Sequence, residues 1–479
     1  MSRRRLVGAV VAVSSAVLIT SCSTTLQGNA VSVFDDPFSV AGMPATDGPS
    51  GLRSSAPEPT RDVEGTDDGA IDELARQAIS DIEEFWEGAY SEPFGGEFRP
   101  VRDLISWDAN GFDDTEFCGD STLGIVNAGY CFPDRNIGWD RGEFLPALME
   151  DFGDVSVLDV LGHEYGHAIQ DQAGLVDDDT PTLVGEQQAD CFEGAYVRWV
   201  AEGNSPRFTV STGDGLNNVL AAVIASRDPV LSENDPDVGY NEHGSAFERV
   251  SAFQLGFTDG AAACASIDMQ EIEQRRGDLP VLLPEDHTGE LPITEKSVQD
   301  IIGAMNTLFS PESPPQLTFD AAECSDARPS PPVSFCPATN TIAVDLPELA
   351  EMGSPSEIDE EVTHAKGDNA AYSVLMSRYM QSVQHEHGGI TLDNAEAALR
   401  TACLTGVATA RLSKETSTPD GNTIVLTAGD VDEAVSGILT NGLAASDVNG
   451  ESVPSGFSRI DAFRVGVLGD QERCFKRFD

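Results

Sequence analysis

The sequence predicts an α+β protein in which helices dominate, a small and mostly antiparallel sheet packs against them, and the arrangement occurs twice. Apolar residues recur at roughly helical spacing in two stretches, Asp72 to Tyr90 and Thr294 to Leu308. Short strand-like runs follow each stretch, including Asn136 to Asp140 in the first half and Thr341 to Asp345 in the second. Both halves of the chain therefore show the same order of predicted elements.

Gapless matches between the halves indicate a tandem duplication. Matching runs begin at Val160 and Val374, at Cys191 and Cys403, and at Phe247 and Phe457. Their offsets fall slowly from 214 through 212 to 210 residues, as expected for two copies of one domain that differ in loop length. We expect a first domain over residues 69–270, a linker over 271–291, and a degenerate second copy over 292–479.

An HExxH pattern lies in the first copy, at His163, Glu164 and His167. Residues four apart share one face of an α-helix, so the two imidazoles point at one ion while Glu164 leans over its open coordination position. Zinc suits this donor set. The alternative interpretation of the pattern by itself is a helix with two exposed histidines.

A second helical pattern, from Gly185 to Phe192, adds two carboxylates on one face. Glu186 can be the third zinc ligand. Asp190 lies four residues later and is placed to accept the remaining N–H of a zinc-binding histidine, which we expect to be His163. The loop from Asp171 to Val184 contains glycine and proline and turns the chain so that the two helices lie side by side.

The second copy lacks all five of these residues. The replacements, written first copy to second, are His163/Ser377, Glu164/Arg378, His167/Gln381, Glu186/Ala398 and Asp190/Ala402. The three proposed ligands, Glu164 and the carboxylate of Asp190 are lost together, which is expected if these residues form one functional unit. We expect the second copy to fold like the first and to bind no zinc.

Two further residues near the motif are interpreted through the same comparison. His243 aligns with Val453 of the second copy, so it is lost together with the zinc residues. If zinc activates a water molecule for attack on a carbonyl group, we expect His243 or the nearby Tyr240 to donate a hydrogen bond to the oxyanion that forms. Arg249 is retained as Arg459, which indicates a structural ion pair or hydrogen bond.

The motifs HEYGHAIQ, EQQAD and His243-Gly-Ser followed by Phe-Glu-Arg-Val together resemble the bacterial neutral zinc metallopeptidases, a gluzincin-type family. The resemblance covers roughly residues 75 to 265. It implies a zincin-like fold and zinc held by His163, His167 and Glu186.

The first 21 residues are typical of a secretory signal sequence, with three arginines before a short apolar run. The run ends in Ile19-Thr20-Ser21-Cys22, which resembles a bacterial lipobox and predicts lipidation, such as palmitate, at Cys22. Ordinary secretion is the alternative. Residues 22–68 are rich in small and polar residues, and we expect a disordered tether there.

Eight cysteines remain once Cys22 is set aside, an even number in an exported chain. A disulfide kept in both copies must map onto itself under the repeat. The simplest set of pairs is Cys118–Cys131, Cys191–Cys264, Cys324–Cys336 and Cys403–Cys474.

A formal charge of −53 argues against nucleic-acid binding, because phosphate groups would be repelled. We expect a membrane-anchored extracytoplasmic zinc metallopeptidase on the bacterial envelope that acts on protein or peptide substrates, with Glu164 as general base and His243 as a second catalytic residue. The alternative is a non-catalytic envelope lipoprotein that binds a partner through its duplicated domains.

Overall fold

Helical residues far outnumber strand residues in the computed structural model, which describes residues 36–112, 115–236, 238, 243–284, 289–320, 323–355 and 365–479. The predicted signal sequence, Cys22 and Tyr240 lie outside these residues. The α-helices are α1 (Ala70–Ala89), α2 (Ser91–Phe94), α3 (Phe144–Phe152), α4 (Ser156–Ala173), α5 (Thr182–Ala201), α6 (Asp214–Ala225), α7 (Ala246–Asp259), α8 (Ala261–Cys264), α9 (Met269–Arg276), α10 (Glu295–Phe309), α11 (Leu346–Met352), α12 (Asp368–His387), α13 (Ala395–Leu412), α14 (Asp430–Thr440), α15 (Gly456–Val467) and α16 (Gln471–Arg477). Short 3-10 turns cover Pro337–Thr339 and Leu443–Ala445. Among the helices of the described residues, none combines the length and the apolar character that crossing a bilayer requires.

The strands are short and form six small sheets in the described residues. They are β1 (Ser39–Val40), β2 (Met43–Pro44), β3 (Gly51–Leu52), β4 (Leu104–Trp107), β5 (Glu116–Phe117), β6 (Asp120–Ser121), β7 (Ala128–Cys131), β8 (Asn136–Asp140), β9 (Phe208–Thr209), β10 (Gln316–Thr318), β11 (Val333–Cys336), β12 (Thr341–Val344), β13 (Thr416–Ser417) and β14 (Thr423–Ile424). The predicted α+β class is confirmed, and the predicted elements α1, α10, β8 and β12 lie within two residues of their expected bounds.

Each half contains a three-stranded sheet of the same design. In the order β4-β8-β7, strand β8 runs parallel to β4 and antiparallel to β7. In the order β10-β12-β11, strand β12 runs parallel to β10 and antiparallel to β11. These sheets are mixed rather than mostly antiparallel, because a long connection separates the first strand of each sheet from the hairpin and allows the parallel pairing.

Helices α4, α5 and α7 form the core around the candidate site, and glycines set their spacing. A Cβ on Gly166 of α4 would lie 2.8 Å from the Cα of Ala189 in α5. A Cβ on Gly256 of α7 would lie 1.7 Å from the carbonyl oxygen of Cys191 in α5. Any larger residue would force these helices apart, so the two glycines permit the close approach on which the site depends.

The segment predicted as a disordered tether is ordered from residue 36 onward. Strand β3 pairs with β9 in antiparallel register. The main-chain N–H of Thr46 donates to the hydroxyl of Thr212 at 3.0 Å. The Thr212 hydroxyl also donates to the carbonyl of Pro44 at 2.6 Å. A polar composition does predict that the segment has no core of its own, but here its backbone is satisfied by docking on the body of the protein.

The two halves of the described chain pack on each other and belong to one compact unit. Helices α6 and α7 contact α14 and α15. The N–H of Phe247 donates to Asp432 at 3.1 Å, and the side chain of Gln254 donates to the carbonyl of Phe457 at 2.9 Å. The predicted linker contains most of α9, whose buried Arg275 binds back to the first half.

The four predicted disulfides are all present. They are Cys118–Cys131, Cys191–Cys264, Cys324–Cys336 and Cys403–Cys474. The bond at Cys191 ties α5 to α8 immediately after α7, and the bond at Cys403 ties α13 to α16. These two bonds therefore fix α5 in the first half and α13 in the second half.

Candidate metal centre

Helices α4 and α5 bring His163, His167 and Glu186 together. One potential ligand atom from each of these residues lies within 4.8 Å of the other two. Glu186 Oε2 is 3.1 Å from Nε2 of His163 and 3.6 Å from Nε2 of His167. The helical spacing predicted for the HExxH motif is what places both rings on the side of α4 that faces α5.

The other ring nitrogen of each histidine has a protein partner. Nδ1 of His163 donates to Asp190 at 2.8 Å, as the sequence predicts, and Nδ1 of His167 donates to the side-chain oxygen of Gln170 at 3.0 Å. Gln170 in turn donates to the carbonyl of Gly185 at the start of α5. Both rings are thereby held with Nε2 directed at Glu186, the orientation that a metal site needs.

Asp190 is itself held by Arg249 from α7. The guanidinium donates through Nη2 to Asp190 Oδ1 at 2.7 Å and through Nε to Oδ2 at 3.1 Å, and both side chains are buried. Arg249 also donates to the carbonyl of Ser226. The expected structural ion pair is therefore present, and its partner is the carboxylate that orients His163.

His243 lies on the other side of Glu186. Its Nε2 is 3.6 Å from Glu186 Oε2, while its Nδ1 is 3.3 Å from Oδ1 of Asp228. The ring is more open to solvent than the other two histidines, with 42% of its side chain exposed. Asp228 was not identified from the sequence, because it precedes His243 by 15 residues in an irregular loop and no periodic pattern connects them.

Opposing effects set the charges in the site. Burial alone would lower the pKa of His163, but its hydrogen bonds to Asp190 and Glu186 raise it to about 10. Burial would likewise raise the pKa of Glu186, but the charge of His167 and the hydrogen bonds from both histidines lower it well below its usual range. A carboxylate this close to two imidazoles requires positive charge between them, which a proton or a metal cation supplies.

Glu164 occupies the partly exposed position next to this group. It lies on α4 between the two histidines, and its negative charge is among the influences that raise the pKa of His167. A cavity of about 400 Å³ opens beside His167 and Glu186 and is bordered by Phe132 of the β7 hairpin. The group is therefore accessible from solvent beside His167 and Glu186.

The residues that the predicted repeat aligns with the candidate site are enclosed by protein. Arg378, aligned in sequence with Glu164, is fully buried and donates to the carbonyls of Val333 at 2.8 Å and Leu443 at 3.0 Å. Gln381, aligned with His167, donates to the carbonyl of Asp447 at 2.9 Å. The 3-10 turn Leu443–Ala445 and the residues after it thus cover the surface that remains open in the first half.

No protein-family model, no curated protein and no solved structure matches the chain.

Proposed function

We propose that the protein is an exported zinc metallopeptidase of the zincin type, anchored to the envelope by lipid at Cys22. The observation that carries the proposal is the convergence of His163, His167 and Glu186 within 4.8 Å, with Glu164 on the same helix. Two imidazoles and one carboxylate leave a coordination position open, which is typical of catalytic rather than structural zinc.

The donor set fits zinc in both type and orientation. His163 and His167 would bind through Nε2 and Glu186 through a carboxylate oxygen, while Asp190 and Gln170 hold the opposite ring nitrogens. Zinc bound there would lower the pKa of a water molecule to near 7 and polarise a peptide carbonyl.

The chain's own groups supply the proton transfers. Glu164 accepts the proton of the attacking water and returns it to the departing amine. His243 in its imidazolium form can donate from Nε2 to the oxyanion, because the carboxylate of Asp228 lies 3.3 Å from Nδ1 and favours the charged ring. A carboxylate thus lies beside Nδ1 of each of two histidines: Asp190 beside His163, and Asp228 beside His243.

The second half is, in this proposal, a duplicated copy that has lost its chemistry. The same sheet design in both halves supports duplication, and so do two glycine contacts. A Cβ on Gly466 would lie 1.7 Å from the carbonyl oxygen of Cys403, as one on Gly256 would from that of Cys191. The copy supports the catalytic half through α14 and α15, which contact α6 and α7.

Export is supported by the four disulfides, since such bonds persist in oxidising compartments. The lipobox-like sequence before Cys22 supports attachment to the outer face of the cytoplasmic membrane or an equivalent surface.

The test combines metal content with hydrolysis of casein and fluorogenic peptides by the purified protein. Glu164→Gln is expected to keep one zinc and to lose turnover, while His167→Ala is expected to lose both. Glu150→Gln and His385→Ala change an exposed glutamate and an exposed histidine elsewhere and serve as matched controls. If the wild type holds one zinc yet cleaves nothing, and Glu164→Gln is identical to it in every assay, the non-catalytic partner-binding lipoprotein replaces this proposal.

A further inference from the structure

A second group of acidic side chains lies in the other half of the molecule, far along the chain from the candidate zinc residues. Asp368 begins α12, Asp430 begins α14, and Glu433 lies one turn into α14. One carboxylate oxygen from each lies within 4.8 Å of the other two. These three residues, here called the carboxylate cluster, are 4%, 5% and 9% exposed, so they are largely removed from water.

Main-chain and hydroxyl donors hold the carboxylate cluster in place. Asp368 accepts from the N–H of Leu291, and Asp430 accepts from the N–H of Thr427 and from its hydroxyl at 3.0 Å. Glu433 Oε2 accepts from the N–H of Asn369 at 2.7 Å. None of these donors carries a charge, so they orient the three carboxylates without neutralising them, and Arg227 interacts electrostatically with Glu433.

Asn369 binds two members of the carboxylate cluster and provides a second, independent sign of a ligand. It is fully buried, its N–H binds Glu433, and its side-chain nitrogen donates to the carbonyl of Asp430. Its side-chain oxygen Oδ1 has no hydrogen-bond partner among the described residues. A buried amide oxygen without a donor is costly, and a cation beside it removes that cost.

The three carboxylates are like charges, and at this separation they repel one another. Three carboxyl groups held this close in a buried position need either protons or a cation to be stable.

We propose that the carboxylate cluster is a calcium site, in which Asp368, Asp430 and Glu433 bind one Ca²⁺ together with Oδ1 of Asn369. All of these donors are oxygens, which favours a hard cation over zinc. The mixture of carboxylates with a neutral amide oxygen, held in irregular geometry at two helix starts, favours Ca²⁺ over Mg²⁺, which demands near-ideal octahedral geometry and retains its water.

The position of the site gives the ion a structural role. The ion would join the first turn of α12 to the first turn of α14. Its ligand Asp368 also accepts a hydrogen bond from the N–H of Leu291, in the segment that leads into the second half. Helix α14 also contacts the first half, where Asp432 accepts the N–H of Phe247 at the start of α7. By fixing α14, calcium thus stabilises the junction between the halves. Helix α7, which α14 contacts at this junction, also carries Arg249.

Calcium chloride titration of the full mature chain tests the proposal, with binding measured by calorimetry and stability by the thermal midpoint. Titration in a His167→Ala background separates this site from the candidate zinc centre. We expect one Ca²⁺ per chain, and a rise in Tm of roughly 3 °C when calcium is about 100-fold above its Kd. Glu433→Gln and Asp430→Asn should each weaken binding at least about 100-fold, whereas Asp420→Asn, an exposed acid of the second half, should not change it.

Three results would overturn the calcium site. The first is a wild-type chain that binds no stoichiometric Ca²⁺ at 10 mM, and the second is undiminished binding by Glu433→Gln. The third is a Glu433→Gln protein that is more stable than the wild type while calcium has no effect on either, which would mean that shared protons neutralise the carboxylate cluster. If the variants do not fold, terbium luminescence of the wild type decides: saturable emission that calcium displaces one for one supports the site, and its absence refutes it.

Discussion

Replacing Asp190 by Asn tests the core of the candidate centre, because it removes one charge without changing the shape of the side chain. Asp190 is fully buried and accepts from His163 at 2.8 Å and twice from Arg249, at 2.7 and 3.1 Å. Burial alone would raise its pKa, but the charge of Arg249 and the hydrogen bond from His163 lower it. The carboxylate is therefore ionised at neutral pH, and the substitution changes its charge.

The change acts on two measurable quantities. Loss of the negative charge that faces His163 Nδ1 should weaken zinc binding about 10- to 100-fold, as for other partners of ligating histidines, which corresponds to about 1.4 to 2.7 kcal/mol. Loss of the partner of Arg249 leaves a buried guanidinium unpaired and should lower the free energy of unfolding by about 3 to 5 kcal/mol.

The double variant Asp190→Asn with Arg249→Met separates the two effects. It removes the unpaired charge, so the free energy of unfolding in urea should recover by most of the loss. The zinc Kd, measured by competition with a chelating dye, should stay weakened, because His163 still lacks its carboxylate. Arg249→Met alone is the control for the loss of the guanidinium.

The reasoning fails if Asp190→Asn binds zinc within twofold of the wild type. It also fails if the double variant recovers both stability and zinc affinity, because Asp190 would then serve only to neutralise Arg249.

Further predictions address the other parts of the molecule. Asp228→Asn should lower kcat for peptide hydrolysis about 10-fold or more while zinc content stays at one, since the imidazolium of His243 loses the negative charge beside Nδ1 but no ligand is removed. An unchanged kcat would exclude that role. Burial, and then the charge of Asp159, raises the pKa of Glu193 well above its ordinary value of 4.5. The folded state therefore keeps a proton that the unfolded chain releases, so the stability of the wild type falls as pH rises above about 4.5. Relative to the wild type, the free energy of unfolding of Glu193→Gln should rise by up to about 1.4 kcal/mol per pH unit until the folded pKa is reached. Parallel stability curves of the two proteins between pH 5 and 8 would contradict this. Cys22→Ser should release the protein from membranes, and continued complete partition in high salt would indicate another anchor. Deleting residues 292–479 should cause loss of solubility, because α6 and α7 would expose the surface that α14 and α15 cover, whereas a soluble and fully active fragment would exclude a supporting role for the second half.

The sequence predicts the donor set well because its geometry is local. His163 and His167 lie four residues apart on one helix, and Glu186 and Asp190 lie four apart on the next, so helical periodicity alone puts each pair on one face. The comparison of the two halves then distinguished these residues from the glycines and aromatics that both halves retain.

The disulfide pairing was predictable for a different reason. Eight cysteines allow 105 pairings, but a repeated pair must map onto itself, and this condition led to the set found in the structure. The tether was not predictable, because composition reports only whether a segment can build a core of its own. Whether it docks depends on donors such as Thr212, which lie far away along the chain.

By itself, therefore, the sequence determined the α+β class, the helices that carry the candidate metal residues and the cysteine pairs, all of which depend on short-range periodicity or on the internal repeat. Only the tertiary structure decided that Asp228 lies beside His243, that Arg249 holds Asp190, that both halves of the described chain belong to one compact unit, and that the carboxylate cluster exists. Each of these contacts joins residues with no periodic relation in sequence, so their proximity follows from how the helices pack and not from the pattern of either partner.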